Sequence, residues 1–312
     1  MQSNQLEKLF KEYVLECNYT RALSPETIKS YTHVFNAFNK VMPEISAPEY
    51  LTKHSLNLFY ERLGTRERVV GKNIVSGKLK QSTIKTYYSK LVAFFRWMER
   101  NNYLDVGFSD AIVKPPEPKY TDEKALTDIE ISKLMATICL HTMDDVLMYQ
   151  RDMLILNFCI YSGLRRNELL SLKVQDVDLV SRTIKVNAST SKSKKDRYIP
   201  LHPQLLQQLD THLKERRLRG LKCPYIVTST RKDEQLTVHG LIHWVKRYRK
   251  LSGVRFHIHQ TRHTFACSLA KSGADIATIM KALGHSTTQM TERYLRSITP
   301  EHARNYIDKL SY

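Results

Sequence analysis

The chain has few cysteines, no long apolar run and a deficit of acidic residues. Its five cysteines among 312 residues are scattered and never form a Cys-x-x-Cys pair, which argues against a disulfide framework and favours a reducing compartment. No uncharged apolar stretch is long enough to span a bilayer, and Met1 is followed by polar residues rather than by the core of a signal peptide. We therefore expect a cytoplasmic protein without a membrane partner.

The scarcity of acidic residues leaves a large excess of positive charge. Asp and Glu number 31 against 49 Lys and Arg, a formal net charge of +18. The electrostatic field of this charge attracts polyanions and raises the rate at which the protein encounters them. The composition alone also fits ribosome-associated and membrane-surface proteins, but it favours nucleic acid as the partner.

The amino-terminal part, residues 5–105, carries apolar residues at helical spacing and is predicted to be helical throughout. Ser24, with proline directly after it, predicts the start of a helix over residues 27–41. A second amphipathic pattern covers Ser82–Asn101. We interpret residues 1–106 as a helical domain.

Lysines gather on the exposed face and at the amino-terminal end of this second helix. Lys85 and Lys90 lie opposite the apolar stripe, and Lys80 lies just before the helix. Any one of them fits an ordinary solvated helix face, but a cluster at a helix N-terminus suits phosphate contacts. We therefore expect all three to contact the phosphates of a nucleic acid.

A proline-rich stretch separates the two halves of the chain. Three prolines fall within residues 115–118, where they remove N–H donors and favour an extended backbone. We place a linker at residues 107–124 and a second domain at residues 125–312.

The second domain is predicted to be rich in helix with a small antiparallel β-sheet. Thr127, with acidic residues in the turn that follows, is typical of a capped helix start, and an apolar helix follows over residues 153–161. Alternating apolar residues at 183–186 and 197–201 flank a basic turn at 191–196 and predict a β-hairpin. The fold class is therefore mainly α, with the sheet confined to this domain.

Two clusters in the first half of the second domain combine basic residues with turn signals. A helix starting after Gly163 places Arg165 and Glu168 one turn apart, where they can pair. Lys192 lies in the predicted hairpin turn. Alone, the first pattern is more often an ordinary surface ion pair, and the second is a common kind of basic turn.

Two further clusters lie closer to the carboxyl terminus. His259 and Arg262 are one turn apart at the start of a helix that continues into apolar residues. His285 precedes a helix, predicted to be capped by Ser286, that carries Tyr294. A tyrosine at such a position is more often part of the core than a nucleophile, so only the combination of clusters is informative.

Taken in chain order, the clusters resemble the tyrosine recombinase (phage integrase) family. The matching residues are Gly163-Leu164-Arg165, the Ser191-Lys192-Ser193 turn, His259-x-x-Arg262-His263, Leu283-Gly284-His285, and Tyr294 nine residues later. The resemblance extends over most of residues 125–296. It implies a core-binding domain and a catalytic domain that close as a clamp around double-stranded DNA at specific core sites. It also implies a homotetramer on DNA that is a monomer or weak oligomer when free.

The resemblance assigns a role to each residue of the phosphate site. Arg165 and Arg262 would stabilise the negative charge that builds up on a phosphodiester under attack. His285 would donate to the same phosphate, and His259 would assist proton movement. Glu168 would hold Arg165 in place.

The resemblance also assigns the nucleophile and the acid. Tyr294 would attack the phosphodiester and carry the DNA as a 3′-phosphotyrosyl intermediate on the way to a Holliday junction. Because this bond keeps the energy of the phosphodiester, religation needs no ATP, metal or other cofactor. Lys192 would protonate the departing 5′ oxygen. Serines flank it where the family often has glycines, and Lys194 and Lys195 are alternatives for the role.

Other functions are weighed against this one. A zinc hydrolase of the His-Glu-x-x-His type is disfavoured because Gln260 follows His259 where that enzyme needs glutamate, and no metal site is predicted. A DNA-binding protein without catalysis is disfavoured because every candidate position holds a competent residue. A type IB topoisomerase shares the chemistry. The sequence does not separate chromosome-dimer resolution from the movement of a genetic element.

A final helix is predicted beyond the proposed nucleophile. Pro300 suits its first turn, and an apolar stripe follows at Ala303, Tyr306, Ile307 and Leu310. This stripe packs either on its own domain or, as the resemblance suggests, on a neighbouring protomer.

Overall fold

A computed structural model describes residues 4–66, 68–70, 73–75, 77, 79–117, 124–190 and 195–295. The chain divides into two compact units, Met1–Tyr120 and Thr121–Tyr312. Within these described ranges, no helix is both long and apolar enough to cross a membrane.

The first unit contains four α-helices and one short β-hairpin within the part that the structure describes. In chain order they are α1 (Gln5–Leu15), α2 (Pro25–Val41), α3 (Ser55–Thr65), strands β1 (Arg68–Val70) and β2 (Asn73–Val75), and α4 (Gln81–Arg100). The predicted cap at Ser24 is confirmed, because its hydroxyl accepts a hydrogen bond from the backbone N–H of Thr27 at 3.3 Å.

Aromatic side chains from α1, α2 and α4 form the core of this unit. Phe10 stacks on Phe35 with ring centroids 3.9 Å apart, and Phe94 meets both rings edge-on. All three are buried, and truncating such a ring to alanine costs about 3–5 kcal/mol. The apolar stripes of the sequence are therefore the faces along which these helices pack.

The prediction that this part is helical throughout is wrong between α3 and α4. There β1 and β2 pair as an antiparallel hairpin, with Val69 opposite Ile74. The strands are three residues long, too short to show an alternating pattern. The β-branched residues that favour extended backbone were the only local signal.

The second unit contains the remaining helices and a three-stranded sheet. In chain order they are α5 (Asp128–Thr142), α6 (Val146–Tyr161), α7 (Arg166–Ser171), β3 (Val177–Asp178), β4 (Thr183–Val186), β5 (Arg197–Pro200), α8 (Pro203–Leu218), α9 (Val238–Ser252), α10 (Ile258–Lys271), α11 (Ile276–Leu283) and α12 (Gln289–Leu295). The sheet has the order β3-β4-β5 and is antiparallel, with Ile184 opposite Ile199 and Val186 opposite Arg197. The predicted hairpin and the mainly-α fold class are confirmed.

Helix α6 lies at the centre of the second core, where α5, α8 and α10 pack against it. Ile155 and Phe158 on this helix are fully buried. The helix begins before the predicted apolar segment because Asp145 caps it: its carboxylate accepts a hydrogen bond from the backbone N–H of Met148 at 3.0 Å. The central position of α6 places the turn that follows it, at Gly163, next to α10.

Helices α10, α11 and α12 pack on one another. The carbonyl of Thr288 accepts hydrogen bonds from the backbone N–H groups of Thr291 and Glu292. Thr288, rather than the predicted Ser286, therefore occupies the N-cap of α12. Helix ends inferred from short polar motifs shift in this way because several neighbouring residues can cap.

Candidate active site

Arg165 occupies the N-cap of α7. Glu168, in the first turn of that helix, accepts hydrogen bonds from the Arg165 backbone N–H at 2.8 Å and from its Nη1 at 2.9 Å. The pairing that the spacing predicts is therefore formed. Because Glu168 is only 2% exposed while the Arg165 side chain is 24% exposed, this contact is a partly buried ion pair and not the surface pair that the spacing alone suggests.

Arg197, the first residue of β5, joins this pair. Its Nη1 and Nη2 donate to the two carboxylate oxygens of Glu168 at 3.0 and 2.7 Å. Burial by itself raises the pKa of Glu168, but the hydrogen bonds and charges of Arg197 and Arg165 outweigh it and hold the pKa at about 2. Glu168 is therefore a carboxylate at neutral pH and binds two arginines at once.

Arg262 lies early in α10 and is 2% exposed. Its Nη1 donates to the carbonyl of Gly163 at 2.5 Å, and its Nη2 donates to the carbonyl of Leu283 at 2.6 Å. Burial, together with the positive charge of Arg165, lowers the pKa of Arg262 to about 9. The guanidinium therefore remains cationic at neutral pH, and the two carbonyls compensate for the water it has lost.

The carboxy-terminal end of α11 is where the three arginines meet. Successive carbonyls each accept a hydrogen bond from a different arginine: Ala282 from Arg197 Nε at 3.2 Å, Leu283 from Arg262 Nη2 at 2.6 Å, and Gly284 from Arg165 Nη2 at 3.1 Å. Carbonyls at a helix end lack partners inside the helix and carry the negative end of its dipole. The end of α11 therefore stabilises a cluster of cations immediately before His285.

Two glycines are required by this arrangement. Gly284 has a φ of 64°, in the left-handed region that favours glycine, and an added Cβ would lie 3.0–3.2 Å from the side chain of Arg197. A larger residue there would press on the Arg197 side chain, which binds Glu168. Gly163 has a φ of 60°, and a Cβ at this position would overlap the ring of Phe265.

Tyr294 on α12 lies beside two histidine rings. Its ring centroid is 5.2 Å from that of His263 and 6.1 Å from that of His285, the latter nearly parallel. The side chain is fully buried, in a small apolar cluster formed with α10 and α11. Tyr294 is thus both a core aromatic and a neighbour of the cationic cluster.

Thr291 connects the helix of Tyr294 to His285. It is fully buried, and its Oγ1 lies 2.9 Å from Nδ1 of His285. A hydrogen bond to one ring nitrogen sets the tautomer and the orientation of a histidine. The ring of His285 is therefore positioned from the same helix that carries Tyr294.

The histidines around Arg262 have separate surroundings. His257 caps α10, with its Nδ1 accepting from the backbone N–H of Gln260 at 2.9 Å, and Nε2 of His263 lies 3.4 Å from the sulfur of Cys267. Among the residues that the structure describes, no group of three or more His, Cys, Asp or Glu side chains could hold a metal ion.

The structure gathers most of the predicted site residues around the end of α11. These are Arg165, Glu168, Arg262, His285 and Tyr294. His259 lies exposed in the first turn of α10. Lys192 lies outside the described residues, as does the predicted helix beyond residue 295.

The predicted DNA-binding lysines belong to the first unit. Lys80 is exposed at the N-cap of α4. Lys85 forms an ion pair with Glu117, and Nζ of Lys90 lies 4.2 Å above the ring of Tyr31. Two of the three lysines therefore have partners within the protein.

Sequence reasoning missed Arg197 and Thr291. The signal for Arg197 was strand alternation, because residues two apart in a strand face the same side and Ile199 is a clear core residue. An arginine on the inner face of a strand requires a buried acidic partner. Thr291 offered no comparable signal, since its partner precedes the helix and is not related to it by helical spacing.

Both parts of the chain match models of known families. Residues 124–300 match the phage integrase family, and residues 9–102 match the phage integrase N-terminal SAM-like domain. A tyrosine recombinase XerC of Bacillus licheniformis is 30% identical over 297 residues, which cover 92% of this chain and 90% of the relative.

Solved structures of recombinases share the fold. The XerH site-specific recombinase bound to palindromic difH substrate, in a post-cleavage complex, has a TM-score of 0.68 at 21% identity, over 99% of this chain and 84% of that one. A lambda integrase tetramer bound to a Holliday junction has a TM-score of 0.68 at 20% identity, over 93% of this chain and 76% of that one. Because the catalytic family model alone spans more than half of the sequence and contains the clustered arginines, histidine and tyrosine, the chain belongs to the phage integrase family.

Proposed function

We propose that the protein is a site-specific DNA recombinase that cuts and rejoins double-stranded DNA through a 3′-phosphotyrosine at Tyr294. The observation that carries this proposal is the convergence of Arg165, Arg262 and His285 at the end of α11, beside the ring of Tyr294. A phosphodiester under attack gains negative charge on its non-bridging oxygens, and cationic donors held in place stabilise that charge.

Both arginines keep donors for a phosphate. A guanidinium has five N–H groups. Among the described residues, Arg165 engages its two Nη atoms with Glu168 and a backbone carbonyl, and Arg262 engages its two with backbone carbonyls. These bonds fix the plane of each guanidinium and leave further N–H groups in that plane. The two guanidinium groups are therefore arranged before the substrate arrives, so they need little reorganisation during the reaction.

The proposed reaction exchanges one ester for another. The Tyr294 oxygen attacks phosphorus and gives up its proton, the bond between phosphorus and the 5′ oxygen breaks, and the 3′ phosphate stays on the tyrosine. Lys192 is the proposed donor of the proton that the 5′ oxygen takes up, and His259 is proposed to assist proton movement. A 5′ hydroxyl from another strand reverses both steps. Because Tyr294 is buried, α12 must shift for the attack.

The proposed partner is double-stranded DNA with specific core sites. Residues 1–106 would form the core-binding domain, with Lys80, Lys85 and Lys90 on phosphates, residues 107–124 would form the linker and residues 125–312 the catalytic domain. The lambda integrase neighbour is a tetramer on a Holliday junction, which supports a homotetramer on DNA for this chain as well. Such an enzyme acts where the chromosome is, so we place it in the cytoplasm.

Covalent capture tests this proposal. Wild-type protein incubated with a pool of randomised duplexes that each carry a nick should leave a protein–DNA adduct that survives denaturation. Because of the nick, cleavage releases a short fragment that carries the 5′ hydroxyl. This fragment diffuses away, so religation does not remove the adduct. Tyr294→Phe removes only the hydroxyl and should bind the duplexes while forming no adduct.

Tyr50→Phe, at an exposed tyrosine of the first unit, is the control and should form the adduct normally. An adduct that persists in Tyr294→Phe would place the nucleophile elsewhere. Relaxation of any supercoiled plasmid, with no requirement for paired sites, would instead identify a topoisomerase.

A further inference from the structure

We infer that Arg197 is a positioning residue of the active site, which fixes Glu168, and through it Arg165, against the end of α11. The inference rests on the proposed function, because it concerns the same phosphate-binding cluster. Arg197 is distinct from the residues proposed to touch DNA, because both of its Nη atoms bind the Glu168 carboxylate and its Nε binds a backbone carbonyl.

Arg197 connects three elements of the fold through one guanidinium. Nη1 and Nη2 bind both oxygens of Glu168 on α7, and Nε donates to the carbonyl of Ala282 on α11. The residue itself begins β5. Two parallel bonds to a carboxylate prevent rotation of either group, so α7 and the end of α11 are held in register with the sheet.

Arg165 depends on these contacts in two ways. Its Nη1 donates to Oε1 of Glu168, the same oxygen that accepts from Nη1 of Arg197. Its Nη2 donates to the carbonyl of Gly284, the residue against which the Arg197 side chain packs. Movement of Arg197 would therefore disturb both anchors of Arg165.

The charge on Glu168 also depends on Arg197. The charged groups facing this carboxylate are Arg165 from the turn before α7, Arg197 from β5 and Arg262 from α10, while α11 contributes only carbonyls. Burial on its own raises the pKa of Glu168, and removing Arg197 takes away the bidentate partner that opposes it. A protonated Glu168 would hold Arg165 less firmly, because the bond would no longer be charge-assisted.

A set of four variants tests the inference: Arg197→Met, Arg197→Lys, Glu168→Gln and the double variant Glu168→Gln/Arg197→Met. The rate of adduct formation on the nicked duplexes is measured at saturating protein across the pH range in which the fold is stable. In the wild type Glu168, with a pKa of about 2, stays ionised throughout that range. Arg197→Met should lower the rate by about 10²-fold, the loss expected from a misplacement of roughly 1 Å in a catalytic group.

The direction of the pH dependence identifies the mechanism. In Arg197→Met the rate should fall further as the pH decreases, because Glu168 takes up a proton, and should recover in part as the pH rises. Arg197→Lys keeps the charge without the bidentate geometry, so its rate should lie between those of the wild type and Arg197→Met. In the double variant the further fall at low pH should be absent, because residue 168 no longer takes up a proton. Its rate should equal that of Glu168→Gln alone, since the two residues act as one unit.

Arg216→Met is the matched control. Arg216 on α8 is also buried, and its Nη1 and Nη2 donate to the carbonyls of Tyr225 and Cys223. Its loss should lower the melting temperature and leave the rate of the folded protein and its pH profile unchanged. Arg197→Met behaving in the same way as this control would overturn the inference.

Two outcomes cover variants that fold poorly. If Arg197→Met does not fold, the double variant, which contains no buried uncompensated carboxylate, and Arg197→Lys decide the question. A double variant slower than Glu168→Gln by at least the factor that separates Arg197→Lys from the wild type would overturn the inference, because the rate factors of independent changes multiply and methionine is the larger change. A wild-type protein that forms no adduct would contradict the proposed function instead.

Discussion

The two cationic regions of the molecule, the arginines at the end of α11 and the lysines of α4, are built in opposite ways. Arg262 is buried, and its donors rest on backbone carbonyls. Lys80 is exposed, and Lys85 pairs with Glu117 at the surface. The first region holds its charges in one geometry at the cost of desolvation, whereas Lys80 and Lys85 of the second lie at the surface, where they change partners easily.

This difference corresponds to two uses of positive charge. Buried cations act strongly because little water screens them, but they are tolerated only where other groups compensate. Glu168 and the carbonyls of α11 provide that compensation. Exposed lysines are screened by salt and lose side-chain entropy on pairing, so a pair such as Lys85–Glu117 contributes little to stability. Chemistry on a phosphate requires the first arrangement, and holding a long anionic backbone is served by the second.

The largest effect is expected from a change in the buried region, Arg262→Lys. Lysine keeps the charge but lacks the planar fork that reaches the carbonyls of Gly163 and Leu283 together. Adduct formation at saturating protein should fall by about 10²–10³-fold, as on removal of one transition-state donor. DNA affinity, measured separately by titration, should change much less.

Arg216→Lys separates this effect from a loss of stability. Arg216 is buried and bound to two carbonyls like Arg262, but it lies on α8, which carries none of the candidate site residues. It should lower the melting temperature comparably and leave adduct formation by the folded protein intact. Equal losses of rate in both variants would show that burial, and not position, explains the effect, and the comparison would fail.

An intermediate effect is expected from Thr291→Val, which keeps the shape of the side chain and removes the hydroxyl. The hydrogen bond to Nδ1 of His285 is lost, so the ring samples other tautomers and orientations. The rate of adduct formation should fall about fivefold, the equivalent of one hydrogen bond of ~1 kcal/mol.

Nuclear magnetic resonance of the His285 ring nitrogens is the direct measurement for this variant. It should show a single tautomer in the wild type and in Thr291→Ser, and a mixture in Thr291→Val. Unchanged ring signals in Thr291→Val would mean that Thr291 does not position His285, whatever happens to the rate.

The smallest effect is expected on the exposed side of the comparison. Lys85→Gln should weaken DNA binding evenly across sequences and lower the slope of log affinity against log salt by about 0.9, the value for one phosphate contact. Glu117→Gln should strengthen DNA binding at low salt, because it frees Lys85 from its partner within the protein. Titrations at several salt concentrations measure both. A sequence-dependent loss in Lys85→Gln would assign it to base recognition.

Local sequence signals predicted those features whose partners are close along the chain. Thr127 caps α5, as the acidic residues in the turn that follows predict, and Glu130 completes the cap. Arg165 pairs with Glu168 one turn later. The three-residue hairpin at β1 and β2 was missed, because so short a strand has no period to detect. The sequence predicts Ser286 as the cap of α12, whereas Thr288 occupies that position, because serine and threonine at neighbouring positions can both cap a helix.

The sequence by itself determined which residues could do the chemistry, since the order and type of Arg165, Arg262, His285 and Tyr294 are visible without coordinates. Only the tertiary structure decided how they are held. Arg197 and Glu168 are 29 residues apart, and Arg165 and the Gly284 carbonyl are 119 apart. Helical and strand periods relate residues a few positions apart, so contacts of this range depend on how α7, β5 and α11 pack. That packing converts scattered arginines into a fixed site.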